Sequence, residues 1–376
     1  MEFTRELKEW VEARARGAGF DLAGIADVPE PGSESAADAQ RTFAEWIAAG
    51  HSGEMEWLKR ADESGELLRG DLRRAMSWAR SVVVCALNYN ADAPRSTDEA
   101  DAKAGWIARY AWSGGEDGRG ADYHDVMLPQ LRRLEAEIKE KFGAECETRC
   151  YVDTGPIVER GYAARAGVGW IGKNTCVLNQ EMGSWLLLGV IVTSVPLARE
   201  AWTVAAADRC GTCTRCIDAC PTDALVAPRQ MDASLCIAYL TIEKKGAIAE
   251  ELRGKVGRQV FGCDICQDVC PWNRRAPVVR ESAMPPREEL VNPALEWLAG
   301  MDGPEFKRWF RGSPLERTGK KRMLRNVAIA MGNSQDEEFL PRLREWAAGD
   351  DAVLAEAAAW AVRELEGRGG SGLDQL

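Results

Sequence analysis

The stretch CGTCTRCIDACP, residues 210–221, decides how this 376-residue chain is organised. Its cysteines follow the spacing C-x2-C-x2-C-x3-C-P, with which a single segment binds [4Fe–4S] clusters in pairs. A second stretch, CDICQDVCP at residues 263–271, repeats the spacing without its first cysteine, because Val260 stands at that position. In paired motifs of this kind, the fourth cysteine of each run binds the cluster of the other run. The two stretches therefore predict two cubane clusters.

The missing ligand is expected from the segment between the two runs, where Cys236 is the one cysteine. The exchange of fourth ligands assigns four cysteines to each cluster: Cys210, Cys213, Cys216 and Cys270 to the first, and Cys220, Cys236, Cys263 and Cys266 to the second. Eight cysteines then serve two clusters without a remainder. Zinc knuckles and disulfides are the alternatives, and the prolines and the three-residue gaps argue against zinc.

The composition is that of a globular chain, with 45% hydrophobic and 28% charged residues. A net charge of −11 argues against a protein that wraps nucleic acid over its whole surface. The start, residues 2–16, predicts a charged amphipathic helix rather than a signal peptide. The longest apolar run, residues 185–195, is about half a membrane span. We expect a cytoplasmic protein, where iron–sulfur thiolates stay reduced, and a monomer.

Three domains are predicted. Residues 1–205 alternate helical and strand patterns, which indicates a mixed α/β (α+β) domain with strands near residues 20–26, 81–89 and 147–154 and a helix over residues 159–165. Residues 177–178 and 185–195 suggest a buried hairpin. Residues 206–284 form the ferredoxin-like module with two [4Fe–4S] clusters. Residues 285–376 are helical, in a pattern that suggests HEAT-like repeats.

Other motifs give weaker indications. The letters Gly167-x-Gly169-x-x-Gly172 match a dinucleotide-binding turn, but they follow a helix instead of the first strand of a βαβ unit. The chain has two histidines, so a histidine metal site is nearly excluded. His124 follows Asp122 as in the cobalamin motif D-x-H-x-x-G, but Met127 replaces the glycine, and we expect His124 to form hydrogen bonds at a helix start. The remaining cysteines are expected to be small buried residues: Cys85, Cys146, Cys150 and Cys176.

A basic segment lies in the predicted C-terminal helices. Between residues 307 and 344 there are ten Lys and Arg against four Asp and Glu, in a chain that is acidic as a whole. One interpretation is a solvated helix face, and the other is a surface that binds phosphates. The second interpretation predicts tRNA contacts at Lys320, Lys321, Arg322 and Arg325.

Taken in order along the chain, several motifs resemble the epoxyqueuosine reductases. They are Gly53-x-Met55-x-Trp57, Asp122-Tyr123-His124, Val152-Asp153-Thr154-Gly155-Pro156, Gly169-Trp170-Ile171-Gly172-Lys173-Asn174, the segment 236–241, both cysteine runs, Gly312-Ser313-Pro314 and Leu324-Arg325-Asn326. The resemblance covers nearly the whole chain. This chain departs from the family at residues 113–120, where it has a glycine-rich insertion. In this family the insertion would lie where it could reshape the upper face of the cobalamin cofactor.

The resemblance implies a cobalamin-binding domain with a nitroreductase-like core, a two-cluster module and a HEAT-like domain that helps to hold tRNA. It implies that the epoxide of epoxyqueuosine at the wobble position is reduced to an alkene, the last step of queuosine synthesis. Cob(I)alamin, reduced through the two [4Fe–4S] clusters by an external low-potential donor, would supply the electrons, without a protein histidine on cobalt.

By the same resemblance, Asp153 donates the proton to the opening oxygen, which requires that burial under the corrin raise its pKa. The alternative from the sequence alone is that Asp153 forms a turn. Corrin contacts are expected at Trp57, Lys173, Val177 and Leu188. A reductive dehalogenase and a non-catalytic electron-transfer or tRNA-binding subunit are the alternative functions.

Overall fold

A four-stranded antiparallel sheet lies at the centre of the N-terminal half of the protein, in a computed structural model that describes residues 2–115, 119–279 and 284–369. Part of the predicted insertion, residues 116–118, lies outside the described residues. The strands are β1 Leu22–Asp27, β2 Ser81–Asn88, β3 Trp106–Ile107, β4 Thr148–Tyr151, β5 Trp170–Ile171, β6 Val177–Leu178, β7 Leu186–Thr193 and β8 Gln259–Phe261.

Fourteen α-helices occur in the described part of the chain. They are α1 Arg5–Gly17, α2 Glu34–Ala48, α3 Leu72–Ala75, α4 Tyr123–Phe142, α5 Glu159–Arg165, α6 Arg215–Asp218, α7 Ile237–Ile242, α8 Glu250–Val256, α9 Ile265–Asp268, α10 Leu295–Gly300, α11 Gly303–Phe310, α12 Gly319–Asn333, α13 Leu340–Ala347 and α14 Ala352–Gly369. Short 3-10 helices lie between them, including Glu56–Lys59 and Pro314–Thr318. No described helix is both long and apolar enough to cross a lipid bilayer.

The order of the main sheet is β1-β2-β7-β4, and every neighbouring pair is antiparallel. Both faces are covered, so β2 reads as a continuous apolar run instead of an alternating one. Val83 and Cys85 contribute to a core with α1 and α4, whereas Val82 and Val84 face a second core that includes residues of α5. The predicted α/β (α+β) class is confirmed, in its α+β form.

The predicted hairpin between residues 177–178 and 185–195 is wrong. β6 pairs with β5, in the register Trp170 with Leu178, and β7 is a central strand between β2 and β4. The apolar run at residues 185–195 is compatible with a hairpin strand and with a central strand. A strand buried on both faces has no alternation of polar and apolar residues from which its neighbours could be identified.

One apolar core crosses the predicted boundary at residue 284. It combines Tyr239, Leu240 and Phe261 of the cysteine-rich segment with buried side chains of α10 to α14. β8 also pairs in parallel with β3, which joins this segment to the N-terminal half. The helical C-terminal region therefore packs as a continuation of the cysteine-rich segment.

Arg325 is the polar centre of this junction, and the prediction that it contacts phosphate is wrong. The side chain is 1% exposed, and its guanidinium donates to the carbonyl oxygens of Leu240, Lys244 and Gly246 at 2.6 to 2.8 Å. Burial lowers the pKa of Arg325 to about 10, so the group remains charged at neutral pH. Its neighbour Asn326 donates to two further carbonyl oxygens of the same segment.

Arg325→Ala is expected to destabilise the protein by about 3 kcal/mol or more, because three buried carbonyl oxygens lose a charged donor. Urea denaturation of the native protein and the variant measures the change. Lys320→Ala on the same helix is the control, and a half-exposed lysine should change stability by less than about 0.5 kcal/mol. Equal stability of the two variants would show that Arg325 does not anchor helix α12 to the cysteine-rich segment.

Candidate functional site

Cys210, Cys213, Cys216 and Cys270, the predicted ligands of the first cluster, line a single cavity of about 260 Å³. Three of them come from the first cysteine run and the fourth from the second run, as the exchange of ligands predicts. The cavity wall is completed by Lys173, Asn174, Leu178, Arg209, Arg215, Pro271 and Trp272. The structure thus brings together cysteines from two separate stretches of the sequence.

The other four predicted ligands also approach one another. Burial raises the pKa of the Cys263 thiol, and the nearby thiols of Cys236 and Cys220 raise it further. The pKa of Cys266 is raised as well, first by a hydrogen bond with the Cys176 thiol and then by burial, with Cys263 and Cys236 as further neighbours. The eight cysteines therefore separate into the two predicted groups of four.

The four thiols of the first group surround a space of about 260 Å³. Such a space is what an iron–sulfur cubane requires, whereas structural zinc draws its four ligand atoms to within about 2.3 Å of one point.

Cys176 is a feature that the sequence did not reveal. Cys85 and Cys146 are buried apolar residues, as predicted, but the Cys176 thiol forms a hydrogen bond with Cys266 of the second group. Cys176 follows Thr175, whose carbonyl oxygen accepts a hydrogen bond from Arg160 at 2.7 Å. The second group of cysteines is thus linked through two short contacts to the start of α5.

Lys173 and Asn174 join the N-terminal half to the cysteine loops. The Lys173 ammonium donates to the carbonyl oxygens of Gly211 at 2.7 Å and of Cys213 at 3.0 Å. Asn174 donates to the carbonyl oxygen of Cys266 at 3.4 Å. The structure therefore places Lys173, expected at the corrin, beside the first cluster cavity.

The Gly167–Gly172 stretch is explained by close packing. A Cβ atom at Gly169 would collide with the carbonyl oxygen of Leu178 in the paired strand β6. The stretch runs into β5 and is followed by the Lys173 and Asn174 contacts, not by a helix. It is therefore a turn that supports the cysteine loops, and the dinucleotide interpretation is rejected.

Asp153 lies in the loop after β4 and has a left-handed backbone, with φ of 57°. Aspartate is one of the few residues besides glycine that adopts this conformation readily. Its carboxylate accepts a hydrogen bond from the Tyr123 hydroxyl at 3.2 Å, and its side chain is exposed. The burial that an acid role requires is therefore not supplied by the side chains of the chain itself.

The motif Asp122-Tyr123-His124 holds this loop against the C-terminal region. Asp122 accepts hydrogen bonds from the His124 backbone and ring, which confirms His124 as a helix-start residue. Arg317 forms an ion pair with Asp122 at 2.9 Å, and its guanidinium lies 5.5 Å from the centre of the Tyr123 ring. Met127 is fully buried in the core, which agrees with the absence of a cobalamin glycine motif.

A second group of side chains near Asp153 consists of Trp57 and Arg69. Trp57 is 47% exposed, and the Arg69 guanidinium lies 5.0 Å from the centre of its indole ring. Arg69 also donates to the carbonyl oxygen of Ile157 at 3.2 Å, and the charges of Glu159 and Asp153 act on it. Trp57 and Asp153 are therefore both neighbours of Arg69.

Val177 and Leu188 are apolar residues of the core that also contains Ile157. Val177 is buried in the same core as Ile157, and Leu188 packs partly against that core. Of the four predicted corrin contacts, Trp57, Val177 and Leu188 thus lie in the region of Asp153, and Lys173 lies at the first cluster cavity instead.

The motif that contains Trp57 is positioned by the cysteine-rich segment. Gly53 has φ of 54°, and a Cβ atom there would lie 2.6 Å from the Tyr239 ring. The Tyr239 hydroxyl accepts a hydrogen bond from the backbone of Glu54 at 2.8 Å. Only glycine allows this approach, which explains why Gly53 precedes the tryptophan.

Glu159, the first residue of α5, is a further carboxyl group that the sequence did not single out. It is 9% exposed, and its Oε1 atom has no hydrogen-bond partner among the described residues. Burial raises the pKa of Glu159 to about 7, and the Asp153 carboxylate acts in the same direction, against the opposing effect of Arg69. Glu159 is thus a buried acid that can hold a proton near neutral pH.

This raised pKa predicts a pH-dependent stability. Between pH 4.5, the usual value, and about 7, the folded protein binds the Glu159 proton while the unfolded chain loses it. Stability therefore falls as pH rises through this window, by roughly 3 kcal/mol at its upper end. Glu159→Gln should remove this loss in denaturation curves between pH 4.5 and 7, whereas Glu6→Gln at an exposed position should not. A variant Glu159→Gln that keeps the native pH dependence would refute the assignment.

Part of the predicted basic surface is engaged in contacts within the fold. Arg322 donates to the carbonyl oxygens of Ile242 and Thr318, and Lys321 pairs with Asp351 at 3.1 Å although it is 88% exposed. Lys320 is half-buried and forms no ion pair with another described residue. The excess of basic residues thus serves mainly to bind carbonyl oxygens and acidic side chains, and Lys320 and Lys321 remain accessible.

The comparisons with known proteins agree with this site. The family model described as 4Fe-4S double cluster binding domain matches residues 209–273, and the one described as Epoxyqueuosine reductase QueG, DUF1730 matches residues 69–154. The epoxyqueuosine reductase of Xanthomonas campestris is 37% identical over 94% of this chain and 95% of its own length. That of Escherichia coli K12 is 34% identical over 96% of this chain and 89% of its own length.

Solved structures of epoxyqueuosine reductases are also similar to this chain. A crystal structure of epoxyqueuosine reductase with an epoxyqueuosine-modified tRNA-Tyr stem loop has a TM-score of 0.81 at 32% identity, over 96% of this chain and 90% of that chain. The fold and the two cysteine groups define the protein as an iron–sulfur oxidoreductase with two [4Fe–4S] clusters. With relatives of this identity over nearly its full length, the chain belongs to the epoxyqueuosine reductase family.

Proposed function

We propose that this protein reduces the epoxide of epoxyqueuosine in the wobble position of tRNA to the alkene of queuosine. The reaction consumes two electrons and two protons and releases the epoxide oxygen as water. The observation that carries the proposal is the pair of four-cysteine groups beside a loop that presents an exposed aspartate, in a chain of this family. Family membership favours this function over a dehalogenase or a non-catalytic subunit.

The two cysteine groups hold the clusters that deliver the electrons. The second group is joined to the Asp153 region by the contacts from Cys266 through Cys176 and Thr175 to Arg160. The first group faces the cavity lined by Arg209 and Arg215. With clusters bound in these groups, electrons would pass from the first group to the second and then to a cobalamin held near Asp153.

The region around Asp153 has the properties of a cobalamin site. It combines the exposed Trp57, the apolar side chains of Val177 and Leu188, and the unpartnered Oε1 atom of Glu159. His124 is engaged with Asp122, so neither this ring nor its motif is free to bind cobalt. When bound there, cobalamin supplies a two-electron reductant for the epoxide.

Asp153 is the residue that we assign to proton donation. It lies on an exposed loop with a left-handed backbone, where the hydrogen bond from Tyr123 fixes one carboxylate oxygen. The epoxyqueuosine reductase of Bacillus subtilis has an aspartate catalytic loop, which in one structure is swung out of the active site. The Asp153 carboxylate contributes to the raised pKa of Glu159, which is about 7, so a second carboxyl group that can hold a proton lies near Asp153.

The absorbance spectrum of the reconstituted holoprotein tests the cofactor assignment. A corrin spectrum added to the broad iron–sulfur shoulder is expected. Incubation with tRNA that carries epoxyqueuosine should then yield a nucleoside that has lost one oxygen atom. An iron–sulfur spectrum alone, with unchanged nucleoside, would point to a plain electron-transfer protein.

Lys320 and Lys321 are proposed to contact tRNA phosphates. Each phosphate contact that is lost should reduce the slope of log affinity against log salt by about 0.7–0.9. The preference among tRNAs should not change. Lys320→Glu and Lys321→Glu, combined, are compared with the native protein by salt-dependent binding of the tRNA stem loop. Arg132→Glu on α4 is the control. An unchanged slope would show that these lysines are solvated and do not bind phosphate.

A further inference from the structure

Three cationic side chains and no acidic one line the cavity of the first cysteine group. They are Lys173, Arg209 and Arg215. Lys173 donates only to uncharged carbonyl oxygens, so its charge is not neutralised. Arg209 and Arg215 are exposed and form no ion pair with another described residue. This excess of positive charge occurs in a chain with a net charge of −11.

Two further arginines follow the cavity-lining residues Cys270, Pro271 and Trp272 in the sequence. Arg274 and Arg275 follow Cys270 closely, are exposed, and likewise pair with no acidic side chain in the described part of the protein. The neighbouring acid Asp208 is paired with Arg229, and Asp218 does not line the cavity. We name the four unpaired arginines 209, 215, 274 and 275 the arginine rim.

Arg209 and Arg215 of the rim line the cavity of the first cysteine group, which is the more exposed of the two groups. Cys210 and Cys213 lie in a loop and Cys216 lies in the short helix α6, and most of the residues next to them are exposed. Cys236 and Cys263 of the second group pack against the large apolar core, and Cys266 contacts Cys176 inside the protein. An external protein that delivers electrons therefore reaches the first cysteine group more readily than the second.

We propose that the arginine rim is the docking surface for an acidic electron-carrier protein, which reduces the first cluster. This inference rests on the proposed function, since it assumes that both clusters are loaded. In each encounter the reduced carrier loses one electron and the cluster gains it, with no bond formed and no proton transferred. Complementary charge around such a site raises association rates by about 10- to 10³-fold, and the gain disappears at high ionic strength.

The test uses the reconstituted holoprotein and a reduced plant-type [2Fe–2S] ferredoxin as the acidic carrier. Bleaching of the visible iron–sulfur absorbance is followed by stopped flow at low and at high salt. Arg209→Glu combined with Arg215→Glu should lower the second-order rate constant at low salt at least about 10-fold, and the difference should vanish near 1 M salt. Arg209→Lys combined with Arg215→Lys keeps the charge and should retain most of the rate.

Two controls separate docking from other effects. Iron content and reduction by photoreduced deazaflavin, a small neutral reductant, should be the same in the native protein and in the glutamate variant. Arg132→Glu combined with Arg149→Glu, outside the cavity, should leave the ferredoxin rate unchanged. An equal decrease in rate with both reductants would show that the arginines tune the cluster, and the docking proposal would be overturned.

A second alternative is that the rim binds nucleic acid. If the glutamate variant keeps its ferredoxin rate but loses affinity for the tRNA stem loop, the rim is a tRNA surface and the proposal fails. Failure of the proposed function is distinguishable from both results. In that case, the protein would not convert epoxyqueuosine even when deazaflavin reduces both of its clusters.

Discussion

Asp153→Asn is expected to lower the turnover of epoxyqueuosine by about 10²–10⁴-fold, the usual contribution of general acid catalysis. Asparagine has nearly the same size and also tolerates the left-handed backbone of this position, but it has no proton to donate. Cluster content, cobalamin binding and tRNA affinity should all stay at the native level. Single-turnover rates at saturating tRNA measure the effect on the chemical step.

Asp223→Asn is the matched control, because Asp223 has the same φ of 57° and is also exposed, but lies in the cysteine-rich segment. It should leave turnover unchanged. If Asp153→Asn instead loses cobalamin and keeps its rate per bound cofactor, Asp153 forms a structural turn and is not the acid.

Cys236→Ser is expected to remove up to one cubane, which is half of the iron, and to abolish reduction of the epoxide. Cys236 lies outside both cysteine runs and replaces the ligand that Val260 does not supply. The structure supports this role, since the thiols of Cys220 and Cys263 are near neighbours of Cys236. Iron analysis and electron paramagnetic resonance of the reduced protein measure the loss.

Two other cysteines decide whether this assignment is specific. Cys85→Ser, in the buried strand β2, should keep all of its iron. Cys176→Ala should also keep both clusters, because Cys176 contacts Cys266 as a hydrogen-bonding neighbour and not as a ligand. If Cys176→Ala loses a cluster and Cys236→Ser does not, Cys176 is the ligand of the second cluster in place of Cys236.

The cysteine groups could be predicted from the sequence, because the spacing of ligands within one loop is fixed by the size of the cluster they surround. The helices and strands with a strong apolar period were also predictable, as for α5, which has the predicted bounds. The neighbours of β7 were not predictable, since a strand buried on both faces carries no pattern that identifies its partners.

Contacts between distant segments explain the remaining differences. The Tyr239 ring leaves room only for a glycine at position 53, and Arg317 forms an ion pair with Asp122. In both pairs the two residues lie far apart in the sequence. A count of charges could not show that Arg325 is covered by carbonyl oxygens of the cysteine-rich segment. Nor could it show that burial raises the pKa of Glu159, because the sequence alone does not reveal what covers α5.

The most direct test of the central claim is a single-turnover reaction of the cluster- and cobalamin-loaded protein with a tRNA stem loop that carries epoxyqueuosine. Photoreduced deazaflavin supplies the electrons, and nucleoside mass and cluster absorbance are recorded together. Each epoxide converted is expected to lose one oxygen atom and to consume two electrons from the reduced clusters. Reduced clusters with an unchanged nucleoside, in a protein that binds the stem loop, would contradict it.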